Sequence, residues 1–308
     1  MEYISAYIKK MLRLPSRREL LSPFLNLDGM GLEVGASISP VFPKYEGFNV
    51  KTLDYLDQEG LKKKSPGFSD KIEPVDYIWQ GERYIKIIDG HKFDWILAAH
   101  VVEHVADIVD FLNNCHEIMA PGALLALVIP DKRFTFDYFR PVTSLASIID
   151  AHIENKKVAS VGSFIENMLY YADRGGKHVW SPGYNLEANL RSNPSPELFN
   201  IYDESNYDSH IWTFTPNHLR LILNDIYALE LIRLRESAFI NTTNYEFIIL
   251  LSAEGRGPKE QRAILAEKAI REYNCRVFPD THPKAIARST LFFLHNLFLK
   301  AKKRLREI

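Results

Sequence analysis

Short apolar runs alternate with stretches of helical character along the first 130 residues. Runs that are apolar throughout, and that end at Gly, Pro or Asp, are typical of strands buried on both faces. The strands predicted in this way are residues 31–35, 48–54, 75–79, 93–99 and 123–129. A helix is predicted from about Asp107 to Met119, with Pro121 and Gly122 as its stop signal. Strands that alternate with helices predict a doubly wound α/β domain.

Regular alternation fails between Asp131 and about Thr215, where aromatic residues, Pro and Gly are frequent. Irregular segments beyond the ligand-binding edge of a sheet commonly form a pocket wall or a lid. We therefore expect both ends of this segment to face a ligand cleft. The residues concerned are Asp131, Tyr138, Arg140, His210 and Trp212.

Regular secondary structure resumes with a helix predicted over residues 216–226, which has Pro216 at its first position. Two more strands are predicted around residues 229–235 and 245–251, with a turn at residues 241–244. We expect these strands to form an antiparallel pair that closes the sheet. The predicted fold is a doubly wound, mostly parallel seven-stranded α/β sheet with an antiparallel closing strand pair and an aromatic-rich insertion.

The composition narrows the possible partners and the cellular location. A formal net charge of -1 gives no whole-protein field for nucleic acid, so no nucleic-acid partner is expected. Cys115 and Cys275 lie far apart and form no CxxC pair, which disfavours a disulfide scaffold and favours a reducing cytoplasm. No apolar run approaches the ~18–20 residues that span a bilayer. We expect a cytoplasmic protein.

The C-terminal tail combines apolar bulk with positive charge. Residues 291–299 are mostly Leu and Phe, and five Lys or Arg residues follow between Lys300 and Arg306. A helix packed on the domain is one interpretation. The other is an amphipathic anchor over residues 291–306 that contacts anionic lipid at the inner face of the membrane.

Candidate chemistry lies at the ends of the predicted strands, because ligands bind beyond the carboxyl ends of strands in doubly wound sheets. Glu33 and Gly35 lie at the carboxyl end of the first predicted strand. Gly35 lets backbone approach a ligand closely, and Glu33 is placed to hold a cationic amine. Asp54 ends the second strand, 21 residues beyond Glu33, where an acid can accept hydrogen bonds from a ribose diol.

These residues form part of an ordered set of motifs. Residues 33–37, Glu-Val-Gly-Ala-Ser, resemble the first motif of class I S-adenosylmethionine-dependent methyltransferases, an acid followed by spaced glycines. Asp54 matches the family's ribose-binding acid, and residues 80–82 resemble its adenine-side motif. Residues 93–105 are similar to its fourth-strand signature, in which a small residue and His precede an apolar pair and Glu-His. The set covers roughly residues 28–130.

The resemblance implies S-adenosyl-L-methionine as the cofactor. It assigns cofactor binding to Glu33, Gly35, Ala36, Ser37, Asp54, Gln80, Gly81, Glu82 and His100. The sequence departs from the family at the glycine-rich turn, where only Gly35 remains and Ser37 and Ser39 take the other places. Pro40 and Pro43 then interrupt the expected crossover helix. An inactive methyltransferase-like binding protein is therefore an open alternative.

A hydroxyl acceptor benefits from a base that takes its proton. The candidate bases are His210 and His100, with Asp131 as the third choice. His100 and His104 are four residues apart and can share one helical face. No third His or carboxylate stands at matching spacing, so no metal site is expected.

The insertion resembles, more loosely, those of bacterial methyltransferases that modify sugars in surface glycans. This resemblance implies O-methylation of a glycan, a glycolipid precursor or a small-molecule hydroxyl. An NAD-dependent or nucleotide-sugar oxidoreductase also stays open, although residues 35–40 lack two glycines of the dinucleotide fingerprint. A nucleic-acid methyltransferase would need a basic face, and none is evident. No sequence feature indicates an oligomeric state.

Five segments follow from these patterns. They are N-terminal helices (1–27), a cofactor-binding core (28–131), an insertion that forms an acceptor lid (132–215), the closing helix and strand pair of the core (216–256), and a helical, basic C-terminal tail (257–308).

Overall fold

The computed structural model describes residues 14–174, 177–180, 189–202 and 209–274. Its strands are β1 (Gly31–Val34), β2 (Val50–Asp54), β3 (Tyr77–Ile78), β4 (Phe93–Ala99), β5 (Met119–Pro130), β6 (Ala172–Arg174), β7 (Lys177–His178), β8 (Asn189–Leu190), β9 (Arg235–Thr243) and β10 (Glu246–Ser252). Its α-helices are α1 (Arg17–Leu21), α2 (Gln58–Lys64), α3 (Ile108–Ile118), α4 (Leu145–Ile153), α5 (Val161–Leu169), α6 (Pro216–Ala228) and α7 (Arg262–Asn274).

Seven strands form one sheet in the order β3-β2-β1-β4-β5-β10-β9. The first five strands in this order are parallel to one another, while β10 runs antiparallel to both β5 and β9. Every residue of β10 is buried, because it lies between two strands and both faces of the sheet are covered. The predicted fold, a mostly parallel seven-stranded sheet with an antiparallel closing pair, is confirmed.

The central strands supply apolar side chains to two separate cores, one on each face of the sheet. Ile96 and Ala98 of β4 join the larger cluster, which includes residues of α3 and α6. Trp95 and Leu97 join the smaller cluster with Leu21 of α1. Alternate residues of a strand point to opposite faces, so a strand buried on both sides reads as a continuous apolar run.

The position of the closing pair corrects one prediction. The predicted strand at 229–235 is wrong, because β9 begins only at Arg235 and extends to Thr243. Ile232 and Leu234 are apolar because they pack into the larger core as part of the connection from α6. The turn is correspondingly later, at Asn244, which has φ of 69°.

The insertion begins and ends at the same place on the core. Asp131, which follows β5, forms a bridge with Phe214, which precedes α6. The segment between them holds α4, α5 and a small sheet of order β7-β6-β8. Its aromatic content therefore belongs to a compact addition built on the carboxyl edge of the main sheet.

Both ends of the chain are described only in part. Residues 17–21 form the short helix α1, and residues 262–274 form α7, as the sequence predicts for these regions. The tail segment 291–306, proposed as a packed helix or an anchor, lies outside the described residues. Within the described part of the chain, none of the helices has the length and apolarity that crossing a membrane requires.

Candidate active site

A cleft of about 500 Å³ opens at the carboxyl ends of β1 and β4. This is the edge where ligands bind in doubly wound sheets. Its lining comes from the turn after β1, the tip of β4, α1, the insertion and the β9–β10 turn. The residues are Arg17, Glu33, Val34, Gly35, Ala36, Ser37, Ile38, Ser39, Ala99, His100, Trp180 and Tyr245.

The turn after β1 keeps its backbone close to the cleft although it has only one glycine. Gly35 has φ of 65°, and a Cβ there would lie 2.7 Å from Cγ2 of Val101. Ser37 also has a positive φ, 41°, in a place where the family carries glycine. The amide of Gly35 donates to the carbonyl of Leu53 on β2 at 2.8 Å. The loss of the later glycines therefore leaves a left-handed turn in place.

Glu33 is buried at the cleft wall, and its carboxylate already holds backbone groups. Oε2 accepts from the amide of Val41 at 3.0 Å, and Oε1 accepts from the amide of Phe42 at 2.5 Å. Burial raises the pKa of Glu33 to about 7, although these two amide hydrogen bonds oppose the shift. Glu33 thus anchors the segment that Pro40 and Pro43 keep from being helical. Its role in binding an amine stays a prediction.

Asp54 ends β2 beside this turn. Its Oδ1 accepts from the amide of Tyr55 at 2.8 Å, whereas the buried Oδ2 has no hydrogen-bond partner among the described residues. Burial raises the pKa of Asp54, and the amides of Tyr55 and Ser37 work against that rise. A buried acceptor without a partner costs about 1–3 kcal/mol, which a ligand hydroxyl can offset. The free oxygen fits the ribose diol that the sequence assigns to this residue.

Residues 80–82 follow β3 at the same edge but do not line the cleft. The amide of Gln80 donates to the side chain of Glu82 at 3.0 Å, and Gly81 has φ of 102°. The indole Nε1 of Trp79 donates to the Glu82 carbonyl at 2.7 Å. These contacts make a tight turn, whose role in holding adenine stays a prediction.

His100 stands at the tip of β4 with φ of 57° and lines the cleft. Its Nε2 lies 2.8 Å from Oε2 of Glu246, and Glu246 also accepts from Nε and Nη2 of Arg17 at 2.9 and 2.7 Å. Burial alone would raise the pKa of Glu246, but His100 and Arg17 outweigh it and lower the pKa to about 2. Arg17 and Glu246 were not predicted as cleft residues, since they are distant in sequence and meet only through the fold.

The aromatic wall of the cleft comes from Trp180, which no sequence pattern distinguishes from the other aromatic residues of the insertion. Its ring is 37% exposed and lies 5.2 Å from those of Phe136 and Tyr245. Trp212, by contrast, is 7% exposed, belongs to the larger core and donates to the carbonyl of Val105 at 2.6 Å.

The expectation that both ends of the insertion face the cleft is wrong, because they pack against each other. Arg140 is almost fully buried, forms an ion pair with Asp137 at 2.9 Å, and donates to the carbonyls of His210 and Ile211. His210 is buried too, and its Nδ1 pairs with Oδ2 of Asp137. Burial alone would raise the pKa of Asp137, but its contacts with His210 and Arg140 outweigh that effect and lower the pKa to about 2.

Asp131, the third candidate base, is fully buried in an ion pair. Arg133 contacts both of its carboxylate oxygens, at 2.9 and 2.6 Å, and the hydroxyl of Thr242 donates to Oδ2 at 2.6 Å. Of the three candidates, only His100 lines the cleft. The assignment of a base among them stays a prediction.

Comparisons with known proteins agree with this geometry. A family model for a methyltransferase domain matches residues 6–226. A stretch of 36 residues is 56% identical to a ubiquinone biosynthesis O-methyltransferase of Chelativorans sp. (strain BNC1). That stretch covers 12% of this chain and 14% of the relative, so the similarity is local.

Similar solved structures include further methyltransferases. The CcbJ methyltransferase from Streptomyces caelestis is 12% identical, with a TM-score of 0.39 over 77% of this chain and 87% of its own. A SAM-dependent methyltransferase from Aquifex aeolicus is 17% identical, with a TM-score of 0.35 over 80% and 96%. The glycopeptide N-methyltransferase MtfA is 12% identical, with a TM-score of 0.36 over 76% and 88%.

The family match covers the strands that line the cleft and the whole insertion. It agrees with the motifs read from residues 33–37 and 93–105, and with the sheet order found in the structure. The chain belongs to the class I S-adenosylmethionine-dependent methyltransferase family.

Proposed function

We propose that this protein transfers a methyl group from S-adenosylmethionine to a hydroxyl of a glycan, a glycolipid precursor or a small molecule. The observation that carries the proposal is the cleft at the ends of β1 and β4. Beside it lie a left-handed turn at Gly35 and the partnerless Oδ2 of Asp54. A turn that admits close backbone approach and a buried acceptor for a diol are the features this cofactor requires.

The bound cofactor supplies an electrophilic methyl group on a positively charged sulfur. The chain's own contribution is to position the reactants, since methyl transfer requires the nucleophile, the methyl carbon and the leaving sulfur in line. Asp54 would hold the ribose, and the backbone of Gly35 and Ser37 would lie along the amino-acid end. His100 marks the side of the cleft opposite Asp54 in the strand order, toward the insertion.

The acceptor side of the cleft carries Trp180 and Tyr245. Their rings contact each other at 5.2 Å and 69°, and Trp180 keeps a third of its surface exposed. An exposed indole at a cleft offers an apolar face with a polar edge. Such a face suits the C–H side of a sugar ring, which supports a glycan or glycolipid acceptor over a small charged one.

The sheet argues against the oxidoreductase alternative. Dinucleotide-binding sheets of the doubly wound type place a sixth parallel strand after the fifth. Here β10 is inserted antiparallel between β5 and β9. The depleted glycine turn leaves the other alternative open, an inactive methyltransferase-like binding protein.

Calorimetric titration of the full-length protein with S-adenosylmethionine, S-adenosylhomocysteine and NAD tests the cofactor. We expect one equivalent of each sulfur compound to bind and NAD to give no heat. A panel of free sugars, nucleotide sugars and catechols, incubated with methyl-labelled cofactor, then tests the acceptor. Binding of NAD alone would replace the proposal with the oxidoreductase, and binding of none of the three compounds would favour the inactive binding protein.

A further inference from the structure

Three side chains from two distant parts of the sequence meet where the end of the insertion packs against the core. Glu103 and His104 follow β4, whereas His210 lies at the end of the insertion, more than a hundred residues later. One carboxylate oxygen and one nitrogen from each imidazole all lie within 4.8 Å of one another. The expectation that no metal site exists considered only local spacing, and this group forms through the fold.

Glu103 is fully buried, and neither carboxylate oxygen accepts a hydrogen bond within the described part of the chain. Nε2 of His210 lies 3.8 Å from Oε1 of Glu103, and Nδ1 of His100 lies 3.5 Å from the same oxygen. A buried carboxylate is costly unless it is paired and hydrogen-bonded or holds a metal ion. Two imidazole contacts beyond hydrogen-bond distance do not meet that need.

His210 is oriented as a metal-binding histidine commonly is. Its Nδ1 pairs with the carboxylate of Asp137, which Arg140 fixes in turn at 2.9 Å. This leaves Nε2 directed at Glu103. Metal-ligating histidines usually donate their second ring N–H to a carboxylate, which sets the tautomer and the ring plane.

We propose that Glu103, His104 and His210 bind a divalent transition-metal ion of the zinc class. Two imidazoles and a carboxylate are a donor set that zinc uses, with ligand atoms about 3.4 Å apart in a tetrahedral site. The observed separations of up to 4.8 Å exceed that value, so side-chain rotations would bring the three ligand atoms together on metal binding. Three protein ligands leave the fourth position to a water or an acceptor oxygen.

The ion would join the insertion to the core. The carbonyl of Glu103 already accepts from the amides of Ile211 and Trp212, at 2.7 and 3.1 Å. Coordination by His210 would add a side-chain link at the same junction and would neutralise Glu103. Because the ion binds the folded chain, it should stabilise the protein by an amount that grows with the logarithm of its concentration above Kd.

The test uses the full-length protein, stripped with a chelator and titrated with Zn²⁺ against a chromogenic zinc chelator. We expect one equivalent to bind and to raise Tm in a concentration-dependent way. Glu103→Gln and His210→Ala should each weaken zinc affinity at least about 100-fold, and Asp137→Asn about 10–100-fold. His152→Ala is the matched control, because His152 pairs with buried Asp107 at 2.9 Å outside this group and should leave zinc affinity unchanged.

Cobalt substitution of the unmutated protein keeps the test open if a variant does not fold. We expect a four-coordinate visible spectrum for Co²⁺, and X-ray absorption of the zinc form should show two imidazole ligands. Substoichiometric zinc in the unmutated protein, or wild-type affinity in folded His210→Ala, would overturn the site. S-adenosylhomocysteine binding is measured on the same samples, and its absence from zinc-free and zinc-loaded wild type alike would count against the methyltransferase proposal alone.

Discussion

The Oε2 atom of Glu33 accepts a hydrogen bond from the backbone amide of Val41 at 3.0 Å, which ties the end of β1 to the segment that crosses behind it. Oε1 does the same for Phe42, a ring fully buried in the smaller core. The segment between Gly35 and Phe42 forms no helix, since Pro40 lies within it and Pro43 follows it. Glu33 therefore holds in place the segment that lines the β1 side of the cleft.

This burial makes the stability of the protein depend on pH. The folded pKa of Glu33, about 7, lies above its ordinary value of 4.5, so the folded state holds the proton more tightly than the unfolded state. The resulting stabilisation is complete below about pH 4.5 and is lost as pH rises through about 7, a change of about 3 kcal/mol. Denaturant unfolding from pH 4.5 to 8 measures it.

Glu33→Gln is the matched variant for that measurement. Its side chain cannot ionise, so the slope of unfolding free energy against pH over this window should flatten. One of the two amide hydrogen bonds is also lost, because an amide side chain has a single oxygen. An unchanged slope in the variant would assign the pH dependence to another group.

Asp54→Ala should weaken S-adenosylhomocysteine binding tenfold or more. The diol would lose charge-assisted hydrogen bonds worth roughly 1.5–3 kcal/mol each. Asp57→Ala is the control, since Asp57 is an exposed acid three residues away whose side chain caps α2 through Gly60 at 2.7 Å. Calorimetry compares the two variants with the unmutated protein. Equal affinity of Asp54→Ala and Asp57→Ala would remove Asp54 from the site.

Gly35→Ala should damage both the turn and the cleft. The added Cβ would lie 2.7 Å from the Val101 side chain, and the alanine would have to keep the positive φ of Gly35. We therefore expect a loss of about 1–3 kcal/mol in stability and weaker cofactor binding. Gly47→Ala separates the two causes, because Gly47 also has a positive φ, 90°, but has open space around it and lies outside the cleft. Thermal unfolding and calorimetry distinguish the variants, and wild-type cofactor affinity in Gly35→Ala would contradict the close approach.

The central strands of the sheet could be predicted from the sequence, because strands that are buried on both faces consist mostly of apolar residues. The apolar runs of β4 and β5 are the examples. The strand-end residues Glu33, Gly35 and Asp54 followed from topology alone. The contacts that could not be predicted join residues that are far apart in the sequence. His210 reaches Glu103, and Arg17 reaches Glu246, across more than a hundred positions, which no local spacing encodes. The misplaced β9 has a similar origin, since apolar residues of a packed connection read like a strand.

The two tryptophans at the insertion should respond differently to truncation. Trp180→Ala removes an exposed wall of the cleft, so acceptor KM should rise while Tm and cofactor affinity stay close to wild type. Trp212→Ala empties a packed core position and removes the hydrogen bond to Val105, at a cost of about 3–5 kcal/mol. Steady-state kinetics with thermal unfolding measures both. A Tm loss in Trp180→Ala as large as that of Trp212→Ala would place Trp180 in the core.

The basic tail predicts association with anionic membranes. Five Lys or Arg residues between Lys300 and Arg306 follow the apolar residues 291–299, and each basic residue near an anionic surface adds about 1 kcal/mol. Truncation after Arg288 should abolish co-sedimentation with anionic liposomes and leave S-adenosylmethionine binding intact. High salt should weaken the association of the full-length protein, because surface charge is screened. If the full-length protein does not co-sediment with the liposomes, or if the truncation unfolds the domain, we would conclude that the segment serves in packing and not in membrane binding.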